Sequence, residues 1–149
     1  MDVSRITDQL FVGGRPHRTD GGALRQLDLD LAICMLPGRP ADVVSGLGLP
    51  LLHLPTRDNL LFPIPLERLE QGAETALRVL EGGGRVWTYC REGRHRSVAM
   101  AACILIASGM PARAAADLLK ARRRRADPYA WHIWRRIRAF EARRSEGHR

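Results

Sequence analysis

The apolar positions of this chain change period as they run, and the changes divide it into short strands and longer helices. Leu29 to Leu36 is nearly continuous in apolar residues from Leu31 and stops at Pro37-Gly38. Such a run predicts a strand in the interior of a sheet covered on both faces. Ile6 to Val12, followed by Gly13-Gly14-Arg15-Pro16, reads as a first strand with its turn, and Leu51 to Leu54 reads as another. Val86-Trp87-Thr88-Tyr89, β-branched and aromatic, predicts a further strand.

Between these runs the period lengthens to three and four. Leu66, Leu69, Ala73, Ala76, Leu77 and Leu80 form the core stripe of a helix over 66–80, with Glu67, Glu70 and Glu74 on its wet face and Gly82-Gly83-Gly84 ending it. Val98 to Ala107 has the length and alanine content of a buried helix. Pro111 opens another, with Ala114, Ala115, Leu118 and Leu119 as its apolar face and Arg122 to Arg125 as its solvated end. Asp127-Pro128 reads as the start of a last helix docked through Ala130, Ile133, Trp134, Ile137 and Phe140. A short helix capped by Thr19 or Asp20 and a single turn at Ala41 to Ser45 complete the elements.

Cys90 falls where the strand ending at Tyr89 gives way to the buried helix. Backbone N–H groups in a loop before a helix N-terminus form an anion site, and the same field favours a thiolate. A free thiol has a pKa of about 8.5, which helix N-termini and nearby cations lower to roughly 3.5–7.5, so Cys90 is expected to ionise at neutral pH. The run Cys90-Arg91-Glu92-Gly93-Arg94-His95-Arg96-Ser97 then brings back a guanidinium whose planar fork matches two phosphate oxygens. Gly93 gives the loop the freedom to bring its amide close to a ligand. A buried structural cysteine beside a charged loop is the plainer reading, but it needs neither the glycine nor the returning arginine.

The spacing Cys-x5-Arg-Ser after a strand resembles the signature loop of the cysteine-dependent protein tyrosine phosphatases, and Cys90-Arg91-Glu92-Gly93 with Arg96-Ser97 is most similar to their dual-specificity branch. Rhodanese-like sulfur transferases also place a cysteine at a strand end, typically on a loop one residue shorter. The resemblance implies a single α/β domain: a central mixed, mostly parallel sheet of four to five strands flanked by helices, with the signature loop between a strand and a buried helix. It assigns residues 1–144 to a catalytic domain, and 145–149 are expected to form a disordered tail. The implied reaction is phosphomonoester hydrolysis through a cysteinyl-phosphate. Cys90 is the nucleophile, the amides of Arg91, Glu92, Gly93, Arg94, His95 and Arg96 with the Arg96 fork hold the phosphate, and Ser97 assists departure of the thiolate. Asp58 precedes Cys90 by 32 residues, in a loop after the 51–54 strand. That place in chain order resembles the family's general acid, and Glu67, Glu70 and Glu74 are its rivals. No metal or cofactor is required. Tyr89 stands where the family usually has His, and His95 where small residues are common, so weak or acid-shifted activity is expected. Arg91 and Arg94 resemble the cations of phospholipid- and phosphoinositide-directed members. The expected substrate is a phosphorylated protein, with a phosphoinositide or phospholipid headgroup as the alternative, and a phosphate-binding module without turnover is the non-enzymatic alternative.

Composition changes this picture in two places. The net charge of +8 is uneven: residues 1–120 hold 14 basic and 13 acidic side chains, residues 121–149 hold 10 and 3. A solvated helix face is the ordinary reading of such a run, with anionic membrane or nucleic acid as the alternatives and the membrane surface the one retained. Three widely spaced cysteines, Cys34, Cys90 and Cys103, make neither a disulfide framework nor a zinc site, so Cys34 and Cys103 are expected as core thiols. With no signal-peptide run and no apolar stretch of spanning length, a cytoplasmic location is expected. His53, inside an apolar run, is expected to be packed and hydrogen-bonded.

Overall fold

The computed structural model describes residues 1–147. Five strands, β1 (Val3–Arg5), β2 (Leu10–Gly13), β3 (Leu31–Cys34), β4 (Leu51–His53) and β5 (Val86–Tyr89), form one sheet in the order β1-β2-β5-β3-β4. Only β1 and β2 run antiparallel, so the sheet is mixed and mostly parallel, as expected. Six helices accompany it: α1 (Gly21–Arg25), α2 (Asp42–Ser45), α3 (Leu66–Glu81), α4 (Arg96–Ala107), α5 (Ala112–Arg122) and α6 (Trp131–Gly147).

The continuous apolar runs follow from cover on both faces. Along β5, Trp87 and Tyr89 turn to one side, where they pack with Phe11, Ala32, Cys34, Leu24 and Val44 under α1 and α2. Val86 turns to the other, with Leu10, Val12, Leu31 and Ile33, against α4. Helix α4 is buried from Arg96 to Ile106, because the sheet, α3, α5 and α6 enclose it. Among the described residues, no helix is long and apolar enough to cross a membrane.

Four local expectations are corrected. The segment 6–12 is not one strand: Thr7 Oγ1 accepts the Gln9 and Leu10 amides at 3.1 and 3.0 Å, turning the chain so that 3–5 and 10–13 pair as a hairpin. Asp20 precedes α1 but makes no side-chain cap there, because its carboxylate accepts the His17 amide at 2.8 Å. Helix α6 begins at Trp131 rather than at Asp127-Pro128: residues 127–130 form a single turn closed by the Ala130 amide on Asp127 O at 3.4 Å, and the helical bonds start with the Ile133 and Trp134 amides on Ala130 O at 2.9 and 2.8 Å. The tail expected to be disordered from Ser145 is helical through Gly147, continuing a helix held by Ile133, Ile137 and Phe140 in the core. Residues 148 and 149 lie outside the described residues.

Candidate active site

The parallel strands β2, β5, β3 and β4 deliver Gly13, Cys90, Met35 and Thr56 to their common C-terminal edge, where open α/β sheets bind ligands. Cys90 follows β5 directly. Its sulfur is buried, accepts the Gly93 amide at 3.3 Å, and lies 3.2 Å from Ser97 Oγ. Gly93 has φ 64°, and a Cβ there would fall 2.6 Å from the Gly13 carbonyl oxygen and 2.5 Å from Arg123 Nη2. Only glycine allows the loop to fold this tightly onto β2. Thr88 Oγ1 donates to the Ser97 carbonyl at 2.9 Å and so ties the strand before the loop to the helix after it.

Arg96 opens α4 and points inward, 7 % exposed. Its Nη1 donates to the Thr56 carbonyl at 3.1 Å and to the Met35 carbonyl at 3.4 Å, while Thr56 Oγ1 donates to Met35 O at 2.6 Å. The buried Nε donates to no protein atom among the described residues. Nor do the amides of Arg91, Glu92, Arg94 and His95 have a protein acceptor among them. A buried donor without a partner costs about 1–3 kcal/mol, so this loop gathers polar hydrogen without spending it inside the protein.

Arg123 corrects the expectation that 122–125 is a solvated helix end. It is 3 % exposed, because the chain leaves α5 in extended conformation there and turns this one guanidinium under the loop. Nε donates to Gly93 O at 2.7 Å and Nη2 to Glu92 O at 3.0 Å; Nη1 reaches Val12 O and Ser4 Oγ at 3.3 and 3.1 Å. An ion pair with Asp2 at 2.9 Å completes its five hydrogen bonds. Arg123 thus fastens the carbonyl side of the loop to β1 and β2. The sequence signal was present: Ala115, Leu119 and Arg123 are spaced by four, which continues the buried stripe of α5.

Asp58 lies in the loop leaving β4, but it is already paired. Oδ2 receives His95 Nδ1 and Oδ1 receives His132 Nε2, each at 2.8 Å. Burial raises this carboxyl, yet the hydrogen bonds and positive charge of the two histidines outweigh it, and the group lies below its ordinary value of 3.8. His95 Nε2 stands 3.4 Å from Asp127, whose carboxylate also meets Arg94 at 3.5 Å. The side chains of Arg94 and His95 are therefore turned to Asp127 and Asp58. His132 carries no signal in the sequence, and Asp127 is legible there only as a helix start, not as a partner of Arg94 and His95. Asp58, His95 and His132 offer ligand atoms within 4.8 Å of one another, a spacing that suits a divalent cation, although in their present hydrogen bonds the two ring nitrogens are protonated donors and the carboxylate oxygens accept from them.

The remaining candidates resolve simply. Glu70 and Glu67 face Arg143 of α6 at 2.9 and 3.8 Å, away from the loop. His53 Nε2 donates to Leu36 O at 2.7 Å, packed as expected. Tyr89 faces the opposite side of the sheet from α4, stacked on Trp87 at a 4.5 Å centroid distance, and burial with Cys34 beside it pushes its phenol up. Burial likewise raises the thiols of Cys34 and Cys103, both free and in the core. The Arg91 carbonyl accepts the Arg15 amide at 3.0 Å, joining the loop to the turn after β2.

No family model and no curated protein matches the sequence. Solved structures do. Human DUSP28 is 21% identical, with 97% of this chain and 96% of that one covered and a TM-score of 0.86. The human tyrosine phosphatase-like serine/threonine/tyrosine-interacting protein is 22% identical over 97% and 98%, with a TM-score of 0.82. PTPMT1 in complex with PI(5)P is 19% identical over 99% of each chain, with a TM-score of 0.84. Chains of such different sequence superpose over nearly their whole length, and what they share with this one is the fold of the cysteine-dependent protein tyrosine phosphatases of dual-specificity type.

Proposed function

We propose that this protein hydrolyses phosphomonoesters through a cysteinyl-phosphate. The observation that carries the reading is the unspent polar hydrogen of the 90–96 loop: Arg96 Nε is buried with no protein acceptor among the described residues, on the same loop as the Cys90 sulfur. A phosphoryl group supplies the missing acceptor oxygens. In the first step Cys90 Sγ bonds to phosphorus, the ester oxygen leaves, and Asp58 protonates it. In the second step Asp58 takes a proton from water as its oxygen attacks phosphorus, and the S–P bond breaks to return the thiolate beside Ser97 Oγ.

One observation favours a second reading. The histidine pair holds Asp58 as a carboxylate, which suits the water-activating step and opposes the proton-donating one. A phosphate-binding module with little turnover follows if that pairing is never broken. Assay of para-nitrophenyl phosphate between about pH 5 and 8 separates the two. Turnover that disappears in Cys90→Ser supports the hydrolase; phosphate binding with no turnover in the unaltered protein supports the module. The substrate is a phosphorylated protein or a phospholipid headgroup. The PTPMT1 complex with PI(5)P lends the second some weight, as does the basic loop.

A further inference from the structure

Among the described residues, the exposed large apolar side chains are Met1, Leu60, Leu61, Phe62 and Trp131. All but Met1 adjoin the Asp58–His132 pair in the chain. Leu60, Leu61 and Phe62 are 59, 82 and 57 % exposed and follow Asp58; Trp131, 65 % exposed, precedes His132. Isolated exposed leucines are ordinary, but a cluster of this kind marks an interaction surface.

The loop that carries them is built. Asp58 pins its start to α6 through His132, and Arg136 Nε pins its end by donating to Ile64 O at 2.9 Å. Between the pins, Asn59 Oδ1 accepts the Leu61 amide at 2.7 Å and turns the chain. Leu60 to Phe62 is therefore a held crest, turned to water by two tertiary hydrogen bonds and a local one. Guanidinium groups lie on the aromatic members: Arg57 is 5.7 Å from the Phe62 ring centre and Arg135 is 4.5 Å from that of Trp131. Apolar and aromatic side chains interleaved with cations match the boundary of a bilayer carrying negative headgroups, where rings sit at headgroup level and arginine meets phosphate.

We propose that Leu60, Leu61, Phe62 and Trp131 seat this protein on an anionic phospholipid surface, with Arg57 and Arg135 against the headgroups, so that its substrate is a phosphomonoester on a lipid headgroup. The substrate half rests on the hydrolase reading above; the seating does not. Exposed apolar side chains with guanidinium groups beside their rings enter a soft interface without a complementary groove, which an acidic protein partner would have to supply.

Two measurements test it on the full chain. Co-sedimentation of Cys90→Ser with phosphatidylcholine vesicles containing about 30% phosphatidylserine reads seating without turnover. Binding should weaken by more than about tenfold in the added Leu61→Asp/Phe62→Asp pair, fall with salt, and be weak on pure phosphatidylcholine. Brominated lipid should quench the fluorescence of the unaltered chain and not of Trp131→Phe. With Cys90 restored, the paired variant should keep its para-nitrophenyl phosphate turnover, which also reports folding. It should lose more than about tenfold on a phosphoinositide embedded in those vesicles. Vesicle binding that ignores the paired substitution overturns the proposal, as does no binding at all. A loss confined to a phosphoprotein substrate, with vesicles ignored, overturns it in favour of protein docking. Seating without any turnover leaves the surface standing and removes the hydrolase.

Discussion

Replacing His132 by alanine removes one of the two hydrogen bonds that hold Asp58 ionised. The balance at Asp58 sets burial, which raises the carboxyl, against His95 and His132, which lower it. Taking one histidine away therefore moves the group upward. A hydrogen bond to a charged partner contributes about 1.5–3 kcal/mol, and the lower end applies because the Asp58 side chain is 35% exposed. About 1.4 kcal/mol is a factor of ten in an equilibrium, so the protonated fraction at pH 7 should rise roughly tenfold. The assay is kcat for two substrates, para-nitrophenyl phosphate with its good leaving group and an alkyl phosphate with a poor one. His132→Ala should raise kcat about tenfold on the alkyl ester, leave the nitrophenyl ester within about twofold, and lose its gain when Asp58→Asn is added. Equal losses on both substrates would refute the reasoning and make His132 a residue that positions the loop.

Arg123→Met should lower stability by about 3 kcal/mol or more, because it leaves three loop and strand carbonyls without their buried donor, at about 1–3 kcal/mol for each unsatisfied group; at about 2–4 °C per kcal/mol the thermal midpoint drops by about 6 °C or more. Arg123→Lys should rescue little of this, since an ammonium cannot reproduce the five-donor fork. Gly93→Ala forces a Cβ into φ 64° and against Gly13, and should abolish competitive inhibition by inorganic phosphate while circular dichroism keeps its native form. The depressed Asp58 contributes stability in full above its unfolded value of 3.8 and loses it as pH falls through the lower native value. Asp58→Asn should therefore lower the thermal midpoint by about 2–4 °C at pH 7 and leave it unchanged in strong acid, a pattern that equal effects at both ends would contradict.

What could be read from the letters was local. Cys90, Gly93, Arg96 and Ser97 lie within eight consecutive residues between a strand and a helix. Their relative placement follows from short-range backbone geometry and needs no knowledge of the rest of the fold. The strands β3 and β5 and the helices α3 and α4 were legible because burial imposes their apolar periods directly on the sequence. Even Asp58 could be placed in its loop by chain order, though not its condition.

The condition of the site belongs to tertiary structure. Asp58 meets a histidine 74 residues away and another 37 away, and its charge state depends on both. The four-residue spacing of Ala115, Leu119 and Arg123 points one arginine of the 122–125 run inward, but only the turn of the chain after α5 decides that its guanidinium ends beneath the Cys90 loop and leaves Arg122, Arg124 and Arg125 in solvent. Side chains of one type acquire different roles when long-range contacts decide which of them loses water. Hydropathy along a chain records the average demand for burial, whereas the electrostatics of a site depend on which polar groups the fold brings within three ångströms of each other.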